Sequence, residues 1–169
     1  HITRLYLLGL LSGFDDGTFR PQNAASRAQF IKVFSRVFFG DQLPASTVRV
    51  ATDVPETTWF ADELAAAKRA GYLGSELDAS GAFRPHFPIT RMTACRLALL
   101  YSGVNTRDFE TTDSSISDVA PYDLGWATAC VQRKWLRLVE TASGSFAPEQ
   151  PLTRAELAHI ALRAARWHD

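Results

Sequence analysis

The chain has 169 residues, of which 46% are hydrophobic, and its 18 basic side chains balance 18 acidic ones. This apolar content is enough for a buried core, while zero net charge excludes the bulk attraction that draws basic proteins to nucleic acid or anionic lipid. No stretch reaches the ~18 apolar residues of a membrane span, so we expect neither a nucleic-acid partner nor a membrane span.

A five-residue string that begins with glycine occurs three times and sets the organisation of the chain. We name its copies the first turn (17–21), the second turn (81–85) and the third turn (144–148). Glycine permits a positive φ, the phenylalanine is placed to plug the turn onto a core, and proline stiffens the exit. Phe19, Phe83 and Phe146 lie 64 and 63 positions apart, a period that indicates one supersecondary unit repeated three times.

The first copy begins with residues 1–11, which predict the last turns of a helix. After the first turn, Ser26 stands where the next helix should begin, and Gln29 follows three positions later, which is the pattern of a capping box. Asp15 and Asp16 lack the alternating oxygen ligands of a calcium loop, so we predict a turn and no metal site there.

The second copy follows a predicted linker at residues 40–52. Trp59 is expected to begin a helix that runs to Gly71, and Thr90 is expected to cap the helix after the second turn. Thr93 occupies the position of Gln29, so the capping box of this helix is incomplete.

The third copy follows a second linker at residues 105–117. Tyr122 lies near its opening, and Thr153 with Glu156 predicts a capping box for the last helix. Cys95 and Cys130 fall inside predicted helices without metal spacing, and we expect them to be small buried hydrophobic side chains rather than a disulfide.

One residue type does not fit a purely structural account. Arg27, Arg91 and Arg154 each occupy the first position of a predicted helix, where the macrodipole disfavours a cation by ~0.3–1 kcal/mol. A guanidinium beside a helix N-terminus is a suitable anion site. The alternative is that each arginine pairs with a carboxylate on a neighbouring repeat.

Catalytic signatures are missing from the sequence. It has no nucleophile motif, phosphate loop or metal-binding helix, and its four histidines are scattered at no ligand spacing. We therefore predict that the chain is not an enzyme and uses no cofactor.

The string Gly-x-Phe-x-Pro, followed after a spacer by [Ser/Thr]-Arg-Ala-[Gln/Glu], resembles the S-layer homology (SLH) repeat. Asp53-Val54 before Trp59, and Asp118-Val119 before Tyr122, are similar to the opening of that repeat. The resemblance implies an all-α fold, with three helix–turn–helix repeats in a pseudo-threefold arrangement around a central helical bundle. The repeats would be 1–39, which lacks its N-terminal opening, 40–103 and 104–169, together one domain.

The resemblance also implies a function. SLH domains hold larger surface proteins non-covalently to the outside of the bacterial cell wall, by binding a polysaccharide whose sugars carry carboxylates, often as pyruvate ketals. The arginine of the motif contacts the ketal carboxylate in a groove between repeats. The implied ligand-binding residues are Arg27, Arg91, Arg154, Ser26, Thr90, Thr153, Gln29 and Glu156, with Trp59 and Tyr122 as stacking platforms. The alternative is a protein–protein interaction module in surface-layer assembly.

Each groove is expected to join the arginine of one repeat to the aromatic opening of the next. Arg27 would then face Trp59 and Arg91 would face Tyr122, while Arg154 would have no aromatic partner. On this basis we expect the Arg27 groove to bind the glycan most tightly.

Overall fold

The fold is all-α in the part of the chain that the computed structural model describes, which is residues 9–40, 43, 49–109, 116–139 and 145–165. These residues form five α-helices, two short 3-10 segments and no β-strand. The helices are α1 (Arg27–Phe39), α2 (Ala61–Arg69), α3 (Arg91–Tyr101), α4 (Leu124–Gln132) and α5 (Arg154–Ala165), and the 3-10 segments are Thr106–Asp108 and Pro121–Asp123. Most of the helix predicted within residues 1–11 lies outside the described residues. In the described ranges, no helix combines the length and apolar character that crossing a bilayer requires.

Helices α1, α3 and α5 begin where the capping residues predict. Ser26 and Gln29 form a complete capping box at α1, and Thr90 caps α3 without a box. At α5, Thr153 and Glu156 each accept the backbone N–H of the other. The three helix starts are therefore confirmed, because side-chain capping is a local property of the sequence.

The core is formed where α1 contacts α2, α3 and α5, and where α3 contacts α4 and α5. Phe30 and Phe34 stack in α1 with ring centroids 4.2 Å apart, and Phe34 lies 5.6 Å from the ring of Tyr101 in α3. Cys95 and Cys130 are buried and free, as the sequence predicts. The buried apolar side chains of these helices thus pack together in one shared interior.

Backbone hydrogen bonds join the residues that precede the three N-caps into a closed ring. Ala25 N–H donates to Leu152 O (2.8 Å), Leu152 N–H donates to Ile89 O (2.8 Å), and Ile89 N–H donates to Ala25 O (3.0 Å). All three residues are buried. The N-terminal ends of α1, α3 and α5 therefore meet, and each is held by the other two.

The first N–H groups of these helices already have acceptors in another turn and in the spacer that follows it. The N–H of each leading arginine donates to a carbonyl in the spacer after another turn, and the following N–H donates to the proline carbonyl of that turn. The first bonds are Arg27 to Phe87 O (3.0 Å), Arg91 to Gln150 O (2.9 Å) and Arg154 to Asn23 O (2.9 Å), and the second set reaches Pro85, Pro148 and Pro21. Because the orphan donors of a helix start are occupied here, these backbone N–H groups are not free to bind an anion.

Candidate ligand-binding site

The three leading arginines extend to a neighbouring turn and not to open solvent. Each Nε donates to the carbonyl of the phenylalanine in that turn, and each guanidinium lies over the ring of the same phenylalanine. The carbonyl distances are 2.8 Å for Arg27 to Phe83, 2.8 Å for Arg91 to Phe146 and 3.0 Å for Arg154 to Phe19, and the centroid distances are 4.7, 5.5 and 4.5 Å. Each arginine thus fastens a helix start to another turn, and Arg154 fastens the last helix to the first turn.

Arg27 and Arg91 are compensated by carboxylates. Arg27 NH1 lies 3.0 Å from Glu76 Oε2, and its NH2 donates to Glu76 O at 2.6 Å. Arg91 NH1 pairs with Glu156 Oε1, and its NH2 donates to Arg137 O at 2.6 Å. Both contacts agree with the alternative drawn from the sequence, in which an arginine pairs with a carboxylate on a neighbouring repeat.

Arg154 has no such compensation. Its side chain is 3% exposed, and NH2 donates to Ser12 O at 2.7 Å. Within the described part of the chain it pairs with no carboxylate, and NH1 has no hydrogen-bond acceptor. Burial lowers the pKa of the Arg154 guanidinium below its usual value, because removal from water disfavours the charged form. A bound anion would offset this cost, which is large for an uncompensated cation.

Arg154 lines a cavity of about 260 Å³, which we call the Arg154 cavity. Its other walls are the segment before the first turn, Gln29 and Lys32 on α1, and Trp59 just before α2. Lys32 Nζ lies 5.0 Å from the centroid of the Trp59 ring, and Trp59 is 55% exposed. Two cations and an aromatic face therefore line the cavity, and no carboxylate is among the described residues that line it.

The expected pairing of Trp59 with Arg27 is wrong, because Trp59 lines the same cavity as Arg154. A side chain at a helix start points back over the N-terminal end, and this carries Arg27 onto the second turn. Trp59 instead lies beside Lys32 on α1, on the side of the helix that faces the first turn. The described side-chain contacts of Arg91 likewise go to the third turn, Arg137 and α5, and do not include Tyr122.

A second cleft, of about 310 Å³, contains Arg27 and lies between the second turn and α3. All three of its arginines are paired with carboxylates: Arg27 with Glu76, Arg84 with Asp78, and Arg96 with Asp123. Burial lowers the pKa of Arg96, but its bonds to Asp123 outweigh this effect and raise the pKa overall. This cleft therefore offers an anion less unpaired positive charge than the Arg154 cavity does.

Four of the remaining predicted site residues have structural contacts. The hydroxyls of Ser26, Thr90 and Thr153 accept backbone N–H groups as caps, and Glu156 uses Oε2 for Thr153 N–H and Oε1 for Arg91. Tyr122 is 79% exposed and lines neither cavity. No cluster of His, Cys, Asp and Glu suited to a metal ion is found among the described residues.

Sequence reasoning missed Lys32, although a signal for it was present. A basic or ionisable side chain stands three residues after the capping-box position in every copy, as Lys32, Arg96 and His159. Residues three apart on a helix share a face, so Lys32 lies beside Gln29 and both line the cavity. Arg96 is engaged by Asp123 and His159 by Lys134 O, so Lys32 is the member of this set that lines a cavity with no acidic side chain among its described lining residues.

Comparison with known families agrees with the sequence motifs. The family model described as the S-layer homology domain matches residues 1–31 and 139–158. No curated protein matches the chain. The matched segments contain the first turn with Gln29 and the third turn with Arg154, and these two segments meet at the Arg154 cavity. These two segments of the chain are therefore similar to the S-layer homology domain.

Proposed function

We propose that this chain anchors a larger surface protein to the bacterial cell wall by binding an acidic polysaccharide in the Arg154 cavity. The observation that carries the proposal is a buried guanidinium that meets no carboxylate among the described residues and faces a cavity beside Lys32 and Trp59. S-layer homology domains bind cell-wall polymers and are parts of larger surface proteins, and they are binding modules rather than enzymes.

The chemistry of the cavity suits a sugar that bears a carboxylate, such as a pyruvate ketal. Arg154 and Lys32 supply charge-assisted donors to the carboxylate, while Trp59 offers an exposed aromatic face to the sugar ring. Drug-sized ligands occupy pockets of ~300–1,000 Å³, so a cavity of about 260 Å³ fits one unit of a polymer. The polysaccharide would then continue along the protein surface on either side of the Arg154 cavity.

We also propose that residues 1–39, 40–103 and 104–169 are three repeats of one domain, arranged with pseudo-threefold symmetry around the central helices. The closed ring of hydrogen bonds through Ala25, Leu152 and Ile89 supports this arrangement. The arginine contacts follow the same cycle, because Arg27 meets the second turn, Arg91 the third and Arg154 the first.

The test is retention of the chain by purified cell-wall polymer, in its native form and after removal of its ketal carboxylates. Trp59→Ala and Lys32→Gln should each weaken binding to native polymer about ten-fold or more, the loss expected for a stacked ring or a charged hydrogen bond. Tyr122→Ala is the matched control, since it removes an exposed aromatic side chain from the corresponding place in the third copy. It should bind like the unaltered chain.

Three outcomes would contradict the proposal in different ways. If both variants bind native polymer as tightly as the unaltered chain, the Arg154 cavity is not the site. If stripped polymer binds as well as native polymer, the carboxylate is not recognised. If neither polymer is retained, a role as a protein–protein interaction module in surface-layer assembly gains ground.

A further inference from the structure

The Arg154 cavity and the second cleft, which contains Arg27, are lined by positions that correspond along the sequence. Positions 11–14, 29 and 32 line the Arg154 cavity, and positions 75–78, 93 and 96, each 64 residues later, line the second cleft. Each cavity also contains one of the arginines that lead a helix. The two cavities can therefore be compared residue by residue.

Arg27 and Arg154 hold the same place in the two cavities. The Nε of each donates to the phenylalanine carbonyl of the adjoining turn, at 2.8 Å for Arg27 and 3.0 Å for Arg154. The NH2 of each donates to the backbone carbonyl of a corresponding residue, Glu76 O at 2.6 Å and Ser12 O at 2.7 Å. The backbone therefore binds the two guanidinium groups alike, and NH1 is the donor that remains.

The two cavities differ in what meets this NH1. Arg27 NH1 lies 3.0 Å from Glu76 Oε2, and Glu76 is buried. Ser12, which corresponds to Glu76, is exposed and carries no carboxylate, and Arg154 NH1 has no acceptor among the described residues. Because Ser12 and Glu76 both lie within the described ranges, the contrast between them is one of residue type.

The second cation of each cavity shows the same contrast. Arg96 in the second cleft donates to Asp123 Oδ1 from Nε at 2.9 Å and from NH2 at 2.6 Å. Lys32, which corresponds to Arg96, lies 5.0 Å from the ring centroid of Trp59 instead. A carboxylate held by the chain beside its partner competes at an effective concentration on the order of mM or more. A dissolved carboxylate therefore has to displace an internal one to enter the second cleft.

We propose that Glu76 determines specificity by taking the place of the ligand carboxylate in the second cleft, which keeps this cleft closed to the acidic sugar. The chain then has one open anion site at Arg154 and one self-occupied site at Arg27. Exchanging the residue types at positions 12 and 76 should exchange the two states. The identity of the ligand rests on the proposed function of the Arg154 cavity.

The test is NMR of the arginine Nε–H groups in the isotope-labelled chain, titrated with a synthetic methyl hexopyranoside that carries one pyruvate ketal. In the unaltered chain the Arg154 signal should shift saturably and the Arg27 signal should not. Glu76→Ser should add a saturable shift at Arg27. Glu149→Ser is the matched control, because it removes an exposed carboxylate outside both cavities, and it should add none. The same glycoside without its ketal should give no saturable shift at either arginine.

The reciprocal exchange tests the same idea at an exposed position, where the fold tolerates a longer side chain. Ser12→Glu places a carboxylate beside Arg154 and should weaken the Arg154 response about ten-fold or more, the loss expected when an internal group takes a charged hydrogen bond. Ser12→Gln is the matched control of equal size. It should bind the ketal glycoside about ten-fold more tightly than Ser12→Glu does.

Any of three results would overturn the proposal. These are an Arg27 shift in the unaltered chain, no Arg27 shift in folded Glu76→Ser, or equal binding by Ser12→Glu and Ser12→Gln. If Glu76→Ser does not fold, the two Ser12 variants decide. Failure of the proposed function gives a different result, a silent Arg154 signal in the unaltered chain, and the Arg27 signals then still decide the role of Glu76.

Discussion

The carboxylate of Glu156 in α5 binds the guanidinium of Arg91 in α3. Its other oxygen accepts Thr153 N–H at 2.8 Å, so one side chain both caps α5 and fixes α3 to it. Arg91 is 2% exposed, and its remaining donors meet the carbonyls of Phe146 and Arg137. The ion pair between Glu156 and Arg91 therefore stabilises the fold, and we expect its disruption to lower the free energy of unfolding.

Arg91→Met should lower the free energy of unfolding by about 3 kcal/mol, because it leaves Glu156 and two carbonyls without their donors. Arg154→Met should cost less, since it removes a buried cation that has no described carboxylate partner. Urea midpoints of the two variants provide the comparison. A larger loss of unfolding free energy for Arg154→Met would contradict the finding that a carboxylate compensates Arg91, while no described carboxylate compensates Arg154.

The caps should contribute unequally to stability. Thr153→Ala removes a complete capping box at α5 and should cost about 1 kcal/mol. Thr90→Ala should cost less, because the Thr90 hydroxyl accepts only the Thr93 N–H and no reciprocal bond exists. Ser26→Ala, which also breaks a complete box, should resemble Thr153→Ala. Denaturant midpoints in the reverse order would refute this ranking.

Asp118 should contribute to acid sensitivity. Burial raises the pKa of this carboxyl, but hydrogen bonds from Ser145, Phe146 and Ala147 outweigh it and hold the pKa below the usual value of 3.8. At low pH the unfolded state therefore binds more protons than the folded state. The stabilisation from this carboxylate is fully present above the usual pKa, and it is lost as the pH falls through the lowered pKa of the folded state. Asp118→Asn should flatten the fall in melting temperature below about pH 4. An unchanged acid slope in this variant would be the contrary result.

The two cysteines should be inert in the folded chain. Both are buried, and burial raises the pKa of the Cys95 thiol well above its usual value, which depletes the reactive thiolate. Alkylation in native buffer should be slow at both positions, and it should become fast in denaturing urea. Rapid labelling of Cys95 without denaturant would contradict this burial.

The sequence predicts the parts of this fold that depend on neighbouring residues. The caps at Ser26, Thr90 and Thr153 are local patterns, and the structure confirms them. The turns follow from glycine and proline chemistry in the same way. These features need no knowledge of which segments meet in space.

The arrangement of charge around the arginines could not be predicted in this way. Glu76 compensates Arg27, and the residue 64 positions before Glu76 is Ser12, which offers Arg154 a carbonyl and no carboxylate. Ser12 and Glu76 are informative only once each arginine is known to reach a neighbouring turn. Which turn each arginine reaches is determined by contacts between positions far apart in the chain. The loops between the turns also differ in length, so the spacing along the sequence does not reveal these contacts.

The bond from Arg154 Nε to Phe19 O joins residues 135 positions apart. A ribosome releases the first turn long before it reaches α5, and contacts between distant positions form only after the intervening chain is available. Until residue 154 has emerged, Lys32 and Trp59 lack the guanidinium that completes their cavity. A growing chain therefore cannot form the Arg154 cavity until α5 has emerged and joined the first turn.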